Sequence, residues 1–206
     1  MAARSHPKLV LASASPRRRE LLSGLGLRFE VRPVDLDETP RPGEPPRDYV
    51  RRLAMEKAAA CARPDELVLA ADTMVVLDGE LFGKPADPAD ARRMLGRIAG
   101  REHTVFSGIA LLEATTGRSA AAVETSSVVM AEMSEGAIEW YVATGEPLDK
   151  AGAYAVQGLG ALFVEAVRGN YTNVVGLPLP ATRRLFRELG YDLLSFRDGR
   201  GDGRPA

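Results

Sequence analysis

The sequence predicts one α/β domain built on a mixed β-sheet, because short apolar runs alternate with amphipathic stretches from end to end. Two further observations bound that reading. The 206 residues suffice for one large domain, and 45% hydrophobic with 27% charged residues is the balance of an ordinary globular chain. The domain is expected to span 1–206, with a core over about 8–195 and flexible tails at 1–7 and 196–206.

Each element has a local cause. KLVLAS from Lys8 is a short apolar run and reads as a strand. The helix after it starts on Ser15 as N-cap with Pro16 at the first helical position, and stops at Gly24 or Gly26. FEVRPV (Phe29 to Val34) alternates as a half-buried strand does, and DLDETPRPGEPP carries too much proline and acid to be other than a loop. From Arg47 to Cys61 an apolar stripe of Val50, Leu53, Ala54, Ala58 and Cys61 marks a helix, with Lys57 inside the stripe. ELVLAADTMVVL reads as a buried strand interrupted by Asp72 and Thr73, with Asp78-Gly79 as a hairpin turn. PADARRMLGRIAG is a helix opened by Asp87 or Pro88, with Gly100 after its end. Two long strands joined at Thr116-Gly117 follow, then a helix from Ser134 as N-cap to Gly145. LPATRRLFRELGY closes the fold as an amphipathic helix, and the chain from Ser195 reads as a loose tail.

Composition excludes several classes of function. Lys plus Arg number 27 against 28 Asp plus Glu, so no global field favours nucleic acid or anionic lipid, and any anion is gripped locally. With 6% aromatic residues there is little of the basic, aromatic-studded face that a single strand requires. One cysteine, Cys61, excludes an internal disulfide, and His6 and His103 cannot supply a His-rich zinc cage. No apolar run reaches the roughly 18 residues of a membrane span, and no secretory h-region precedes Pro16, so a soluble cytoplasmic protein is expected.

Five constellations could carry chemistry. Ser13, Ser15, Arg17 and Arg18 stand where a strand passes into a helix, with Arg19 beside them. Guanidiniums at the positive end of a helix are disfavoured unless a polyanion binds there; the alternative is a solvated arginine face. Asp72-Thr73 follows the run LVLAA, and a carboxylate against a buried strand requires a partner or a metal. Lys57 and Lys84 have no neighbouring acid that claims them. Either they meet a phosphate as point charges, or Lys57 snorkels outward. Gly79 to Lys84 is no P-loop, since the spacing GxxxGKP is too short and lacks the following Ser or Thr. Asp35, Asp37 and Glu38, with Asp72, offer the oxygen ligands that magnesium or manganese prefers, or form a merely solvated loop. Asp149-Lys150-Ala151-Gly152 through Gln157-Gly158 combines charge, glycine and one amide, as a nucleotide-facing turn or a tight core turn would.

Taken in order from about Leu9 to Leu194, LASASPRRRELL, the AMEKA around Lys57, AADT, FGKP, GREHTVFSG, GEPLDKAGAYAVQG and NYTNVVGLPL resemble the Maf family of nucleoside triphosphate pyrophosphatases. The DKAGAYxxQG form resembles the branch acting on dTTP and UTP. The resemblance implies an elongated mixed sheet with a central cleft, related to inosine triphosphate pyrophosphatases. It also implies hydrolysis to a nucleoside monophosphate and pyrophosphate with a divalent metal (Mg or Mn), and a homodimer. On matching positions it implies Asp72 as proton acceptor, and Arg17, Thr73 and Gln157 as the residues tied to substrate choice. Ser13, Arg18, Lys57 and Lys84 would lie around the phosphates, with Glu38 and Asp72 at the metal. Ser107 stands where Thr is frequent and Ala14 where Gly is frequent. The competing reading is a non-catalytic nucleotide-binding regulator of cell division, which would keep the arginines and could dispense with Asp72.

Overall fold

The computed structural model describes residues 7–197 of the chain. Strands β1 (Lys8–Leu11), β2 (Glu30–Val31), β3 (Glu66–Leu77), β4 (Glu80–Phe82), β5 (Glu102–Glu113), β6 (Ser119–Met130) and β7 (Val164–Arg168) form one mixed sheet. Its order is β2-β1-β3-β5-β6-β7, with β4 also paired to β3. β1 is parallel to β2 and β3, and the other pairings are antiparallel. Helices α1 (Pro16–Gly24), α2 (Pro46–Cys61), α3 (Pro88–Ile98), α4 (Glu135–Ala143), α5 (Tyr171–Val175) and α6 (Leu179–Glu188) flank it. The expected α/β class with a mixed sheet is the one observed.

The two faces of the sheet are covered differently. One face of β3 turns Val68, Ala70 and Met74 toward α2, which contributes Val50, Leu53, Ala54 and Ala58. Small residues let helix and sheet come close, and at Gly108 the approach is so tight that a Cβ would lie 2.0 Å from the Val50 carbonyl oxygen. The other face carries two separate apolar clusters. Leu67, Leu69 and Ala71 pack with α1 and α6, while Val75 and Leu77 pack with α3 and α4. Thr73 lies between the two clusters, so this face has a polar seam halfway along its long strands.

Three sequence expectations need correction. Asp72 and Thr73 do not interrupt β3, which runs unbroken for 12 residues because both pair in register with Gly108 and Ser107 of β5. The strand expected over 29–34 shrinks to Glu30–Val31: the Arg32 amide makes the last bond to β1, at the Leu11 carbonyl, and Pro33 has no N–H to continue the ladder. The tail does not begin at 196: Phe196 is buried against Phe186 and Tyr191, and Leu27 bridges Arg197. The remainder of the expected tails, 1–6 and 198–206, lies outside the described residues. Among those described, no helix is long and apolar enough to cross a membrane.

Ser15 holds the N-cap position of α1 without a side-chain cap bond, whereas the other two expected caps form. Asp87 and Ser134 accept the Asp90 and Ala137 amides at the starts of α3 and α4, and Asp78-Gly79 forms the β3–β4 turn with both φ angles positive. Replacement of Gly108 by Ala is expected to push α2 off the sheet and to cost about 1–3 kcal/mol by overpacking, read as a lowered urea midpoint. A second expectation concerns His103, which is buried with its Nε2 2.8 Å from the Tyr154 hydroxyl. Burial pushes its imidazole from 6.5 down to about 4. Unfolded chains bind this proton below pH 6.5 and the native state does not until about pH 4, so stability is full above 6.5 and falls as pH drops between the two values. Unfolding free energies at pH 7 and pH 5 should differ by about 2 kcal/mol from this group, and His103→Gln should remove that increment.

Candidate active site

Along one edge of β3, Glu66–Leu69 pair with β1 and Val75–Leu77 pair with β4. Residues 70–74 therefore have no strand beside them on that edge. β1 runs into this gap from one end and β4 from the other. The segments that follow them, Ser13–Arg18 and Gly83–Lys84, arrive at the same place. A cleft of about 800 Å³ opens there. All nine sequence-predicted residues, Ser13, Arg17, Arg18, Glu38, Lys57, Asp72, Thr73, Lys84 and Gln157, line it.

The exposed edge of β3 leaves a backbone acceptor to satisfy, and Arg18 does so. Its Nη1 donates to the Ala71 carbonyl at 2.7 Å and to Ser13 Oγ at 3.2 Å. Nε donates to the Gly176 carbonyl at 2.8 Å, and Nη2 to Thr73 Oγ1 at 3.1 Å. Burial pulls this guanidinium below its ordinary pKa while Asp72 opposes the shift. Four protein bonds make Arg18 chiefly a brace for the cleft floor. Thr73 Oγ1 continues the network to Ser107 Oγ at 2.8 Å, and Ser107 donates to the Asn173 carbonyl at 3.1 Å. The three consecutive arginines of α1 thus separate: Arg18 is in the floor, Arg17 at the rim and Arg19 exposed outside the cleft.

On the opposite side of β3, Asp72 meets Lys57, and the snorkelling alternative fails. Lys57 is only 8% exposed, and its Nζ lies 2.7 Å from Asp72 Oδ1 and 2.5 Å from Glu38 Oε1. One ammonium therefore holds two carboxylates from distant parts of the chain together. Glu38 is presented by a fastened loop: the Tyr49 hydroxyl donates to the Glu38 carbonyl at 2.8 Å, and Arg52 binds Glu44 at 2.6 Å. Asp37 is used differently, its carboxylate accepting the Thr39 amide.

The far wall is formed by residues 149–151 and 154–157, which the 3-10 turns 146–149, 151–153 and 158–163 carry and flank. Arg17 reaches across to Asp149 at 3.2 Å, and Lys150 holds the other Asp149 oxygen at 2.5 Å. Glu146 anchors the wall by accepting the Gly160 and Leu159 amides and the Tyr141 hydroxyl. Burial opposes its ionisation, but these donors outweigh burial and hold the carboxyl below its usual range. Gln157 is exposed at the end of this wall, and Lys84 is exposed on the opposite side. Sequence reasoning assigned no role to Glu146, Tyr49 and Asn173; Glu146 and Asn173 lie within the motifs GEPLDKAGAYAVQG and NYTNVVGLPL, but their burial and partners are not displayed by one sequence.

Five cations (Arg17, Arg18, Lys57, Lys84 and Lys150) and four acids (Asp35, Glu38, Asp72 and Asp149) line the cleft. Among the described residues no group of three acidic, His or Cys side chains could cage a metal. Two carboxylates brought together on Lys57 do suit a magnesium-type ion, which is commonly held by one or two carboxylates, water and substrate phosphates.

Comparison with known proteins places the whole chain rather than the site. The profile of the family described as Maf-like protein matches residues 8–189. A relative called dTTP/UTP pyrophosphatase from Anaeromyxobacter dehalogenans (strain 2CP-C) is 56% identical over 189 residues, covering 91% of this chain and 96% of its own. Relatives of the same name from Syntrophus aciditrophicus and Shewanella oneidensis are 51% and 50% identical, covering 89% and 88% of this chain and 90% and 98% of theirs. A solved HAM1 protein from Coxiella burnetii superposes with a TM-score of 0.43 at 19% identity, over 62% of this chain and 74% of that one. Matched by the family profile and by these relatives over most of its length, the chain belongs to the Maf family.

Proposed function

We propose that this chain, as a single catalytic domain, hydrolyses dTTP and UTP to the nucleoside monophosphate and pyrophosphate. The observation that carries the reading is the convergence of Lys57, Asp72, Glu38, Arg17, Lys84 and Gln157 on one cleft. Relatives at 50% identity or more that bear the name dTTP/UTP pyrophosphatase supply the substrate class.

Phosphoanhydride hydrolysis asks for positioning, charge neutralisation and an activated water. Lys57 fixes Asp72 through Oδ1, leaving Oδ2 to orient a water and accept its proton. The water oxygen bonds to phosphorus, the bridge bond between the α and β phosphates breaks, and the departing pyrophosphate takes the bond electrons. Lys84 and Arg17 face the negative charge that builds on that leaving group. Arg18 and Ser13 hold the floor against which the phosphates rest. Gln157 presents an amide donor and acceptor to the edge of a pyrimidine base, and Thr73, fixed by Arg18, limits the depth available to it.

Glu38 and Asp72 would hold a magnesium or manganese ion together with the phosphates. When bound, that ion supplies charge neutralisation and a more acidic water. The lining supports this need, because five cations against four acids leave the cleft only weakly positive for a tail of about four negative charges. We further read the protein as cytoplasmic, since its substrates are cytosolic in chemistry and its one cysteine is free and buried. A homodimer is supported by the exposed apolar side chains Trp140, Leu159 and Leu162, Trp140 on α4 packing edge-on against Phe163 of the 3-10 turn that carries the two leucines.

Incubation with dTTP, UTP, CTP and GTP, with and without magnesium or manganese, tests the reading. Pyrophosphate as first product from dTTP and UTP is expected, and its loss on chelation; orthophosphate as first product refutes the cleavage site. Asp72→Asn should lower kcat by at least about a hundredfold with nucleotide binding retained, and activity within about tenfold of wild type removes Asp72 as the base. Lys84 and Arg18 should separate by role. Lys84→Ala is expected to raise KM about tenfold with stability unchanged within about 0.5 kcal/mol, whereas Arg18→Ala should cost about 2–4 kcal/mol of folding stability, measured by urea unfolding.

A further inference from the structure

The contact between Arg17 and Asp149 stands apart from the rest of the cleft. Other charged groups around it fasten structure: Arg18 closes an edge through a backbone carbonyl, Lys57 joins two carboxylates, and Glu146 pins a turn through backbone amides. Asp149 is instead an exposed carboxylate at the rim, its side chain 57% accessible. It shares its two oxygens between two cleft cations, Arg17 Nη1 on Oδ2 at 3.2 Å and Lys150 Nζ on Oδ1 at 2.5 Å. A second bond from Arg17, Nη2 to the Asp149 carbonyl, is stretched to 3.5 Å.

Geometry keeps the carboxylate at this station. The turn that follows carries two consecutive left-handed residues, Gly152 at φ 73° and Ala153 at φ 58°. The Gly152 amide donates to the Gly83 carbonyl at 3.0 Å, tying the turn to the strand that delivers Lys84. Lys150 is further held by the Glu146 carbonyl at 2.6 Å, so it retains a partner when Asp149 releases it. Arg17 makes no other hydrogen bond among the described residues. Its long contact to an exposed acid belongs to the weak class of ion pairs, whereas a phosphate can accept from a guanidinium through two short charge-assisted bonds.

We propose that Asp149 is a built-in anion that competes with phosphate oxygens for Arg17 and Lys150, weakening the hold on pyrophosphate and speeding its release. The proposal rests on the pyrophosphatase reading and adds a regulator of product affinity to it. Two cations that would otherwise grip the product together are each shared with a carboxylate anchored at the rim by its own backbone. Removing the Asp149 charge raises the positive balance of the cleft by one and frees Arg17 for the ligand.

Calorimetric titration of inorganic pyrophosphate with magnesium into the wild-type protein, Asp149→Asn and Asp149→Glu tests this without reliance on turnover. Asp149→Asn is expected to bind pyrophosphate about fivefold more tightly, with product inhibition strengthened in parallel, and Asp149→Glu to stay near wild type. A merely structural role for Asp149 predicts the opposite sign, since a misplaced Arg17 binds pyrophosphate less well. Unchanged or weakened affinity in Asp149→Asn therefore overturns the proposal. Failure of the wild-type protein both to bind pyrophosphate and to cleave dTTP or UTP overturns the pyrophosphatase reading itself, which is a separate result.

Discussion

Where β3 passes between the ends of β1 and β4, the Ala71 carbonyl faces an edge with no strand partner, and the Arg18 guanidinium takes that acceptor at 2.7 Å. A buried carbonyl left unpaired is costly, so an edge gap in the middle of a sheet persists only when some donor fills it. Arg18 fills it while also reaching Gly176, Thr73 and Ser13. One planar fork thereby sets the positions of the strand edge, the α1 entry turn and the segment after α5. The cleft exists because the sheet is interrupted on one edge and braced at the interruption.

Charge in the cleft is arranged so that cations remain close together without mutual repulsion dominating. Lys57 is neutralised by Glu38 and Asp72, and Arg17 and Lys150 share Asp149. Burying an ammonium costs several kcal/mol unless good geometry offsets it, and two carboxylates within 2.7 Å supply that geometry. The same arrangement fixes the orientation of Asp72, leaving one of its oxygens for chemistry. Lys84 differs in having no ion-pair partner among the described residues, which suits a side chain that meets a ligand.

Much of the architecture was legible locally. The caps at Asp87 and Ser134, the Asp78-Gly79 turn and the apolar stripe of α2 follow from short-range preferences, and the structure keeps all of them. The errors were also local readings, defeated by distant partners. Asp72 and Thr73 looked like strand breakers, but pairing with β5 and the bonds to Lys57 and Arg18 satisfied them in place. Phe196 looked like tail, but Phe186 and Tyr191 offered it an apolar seat. Arg17, Arg18 and Arg19 read as one basic cluster, yet a helix turns about 100° per residue, so the three point to different surroundings.

The sequence by itself determined which side chains were chemically unusual: a carboxylate in an apolar strand, a lysine on an apolar helical stripe, arginines at the positive end of a helix. Those anomalies are visible because periodicity and propensity are properties of neighbouring residues. Only the tertiary structure decided that they face one another, that Arg18 braces rather than merely decorates the site, and that Asp149 stands across from Arg17. Such pairings join residues as far apart as Arg17 and Asp149, and they follow from strand order and register, which no local pattern encodes.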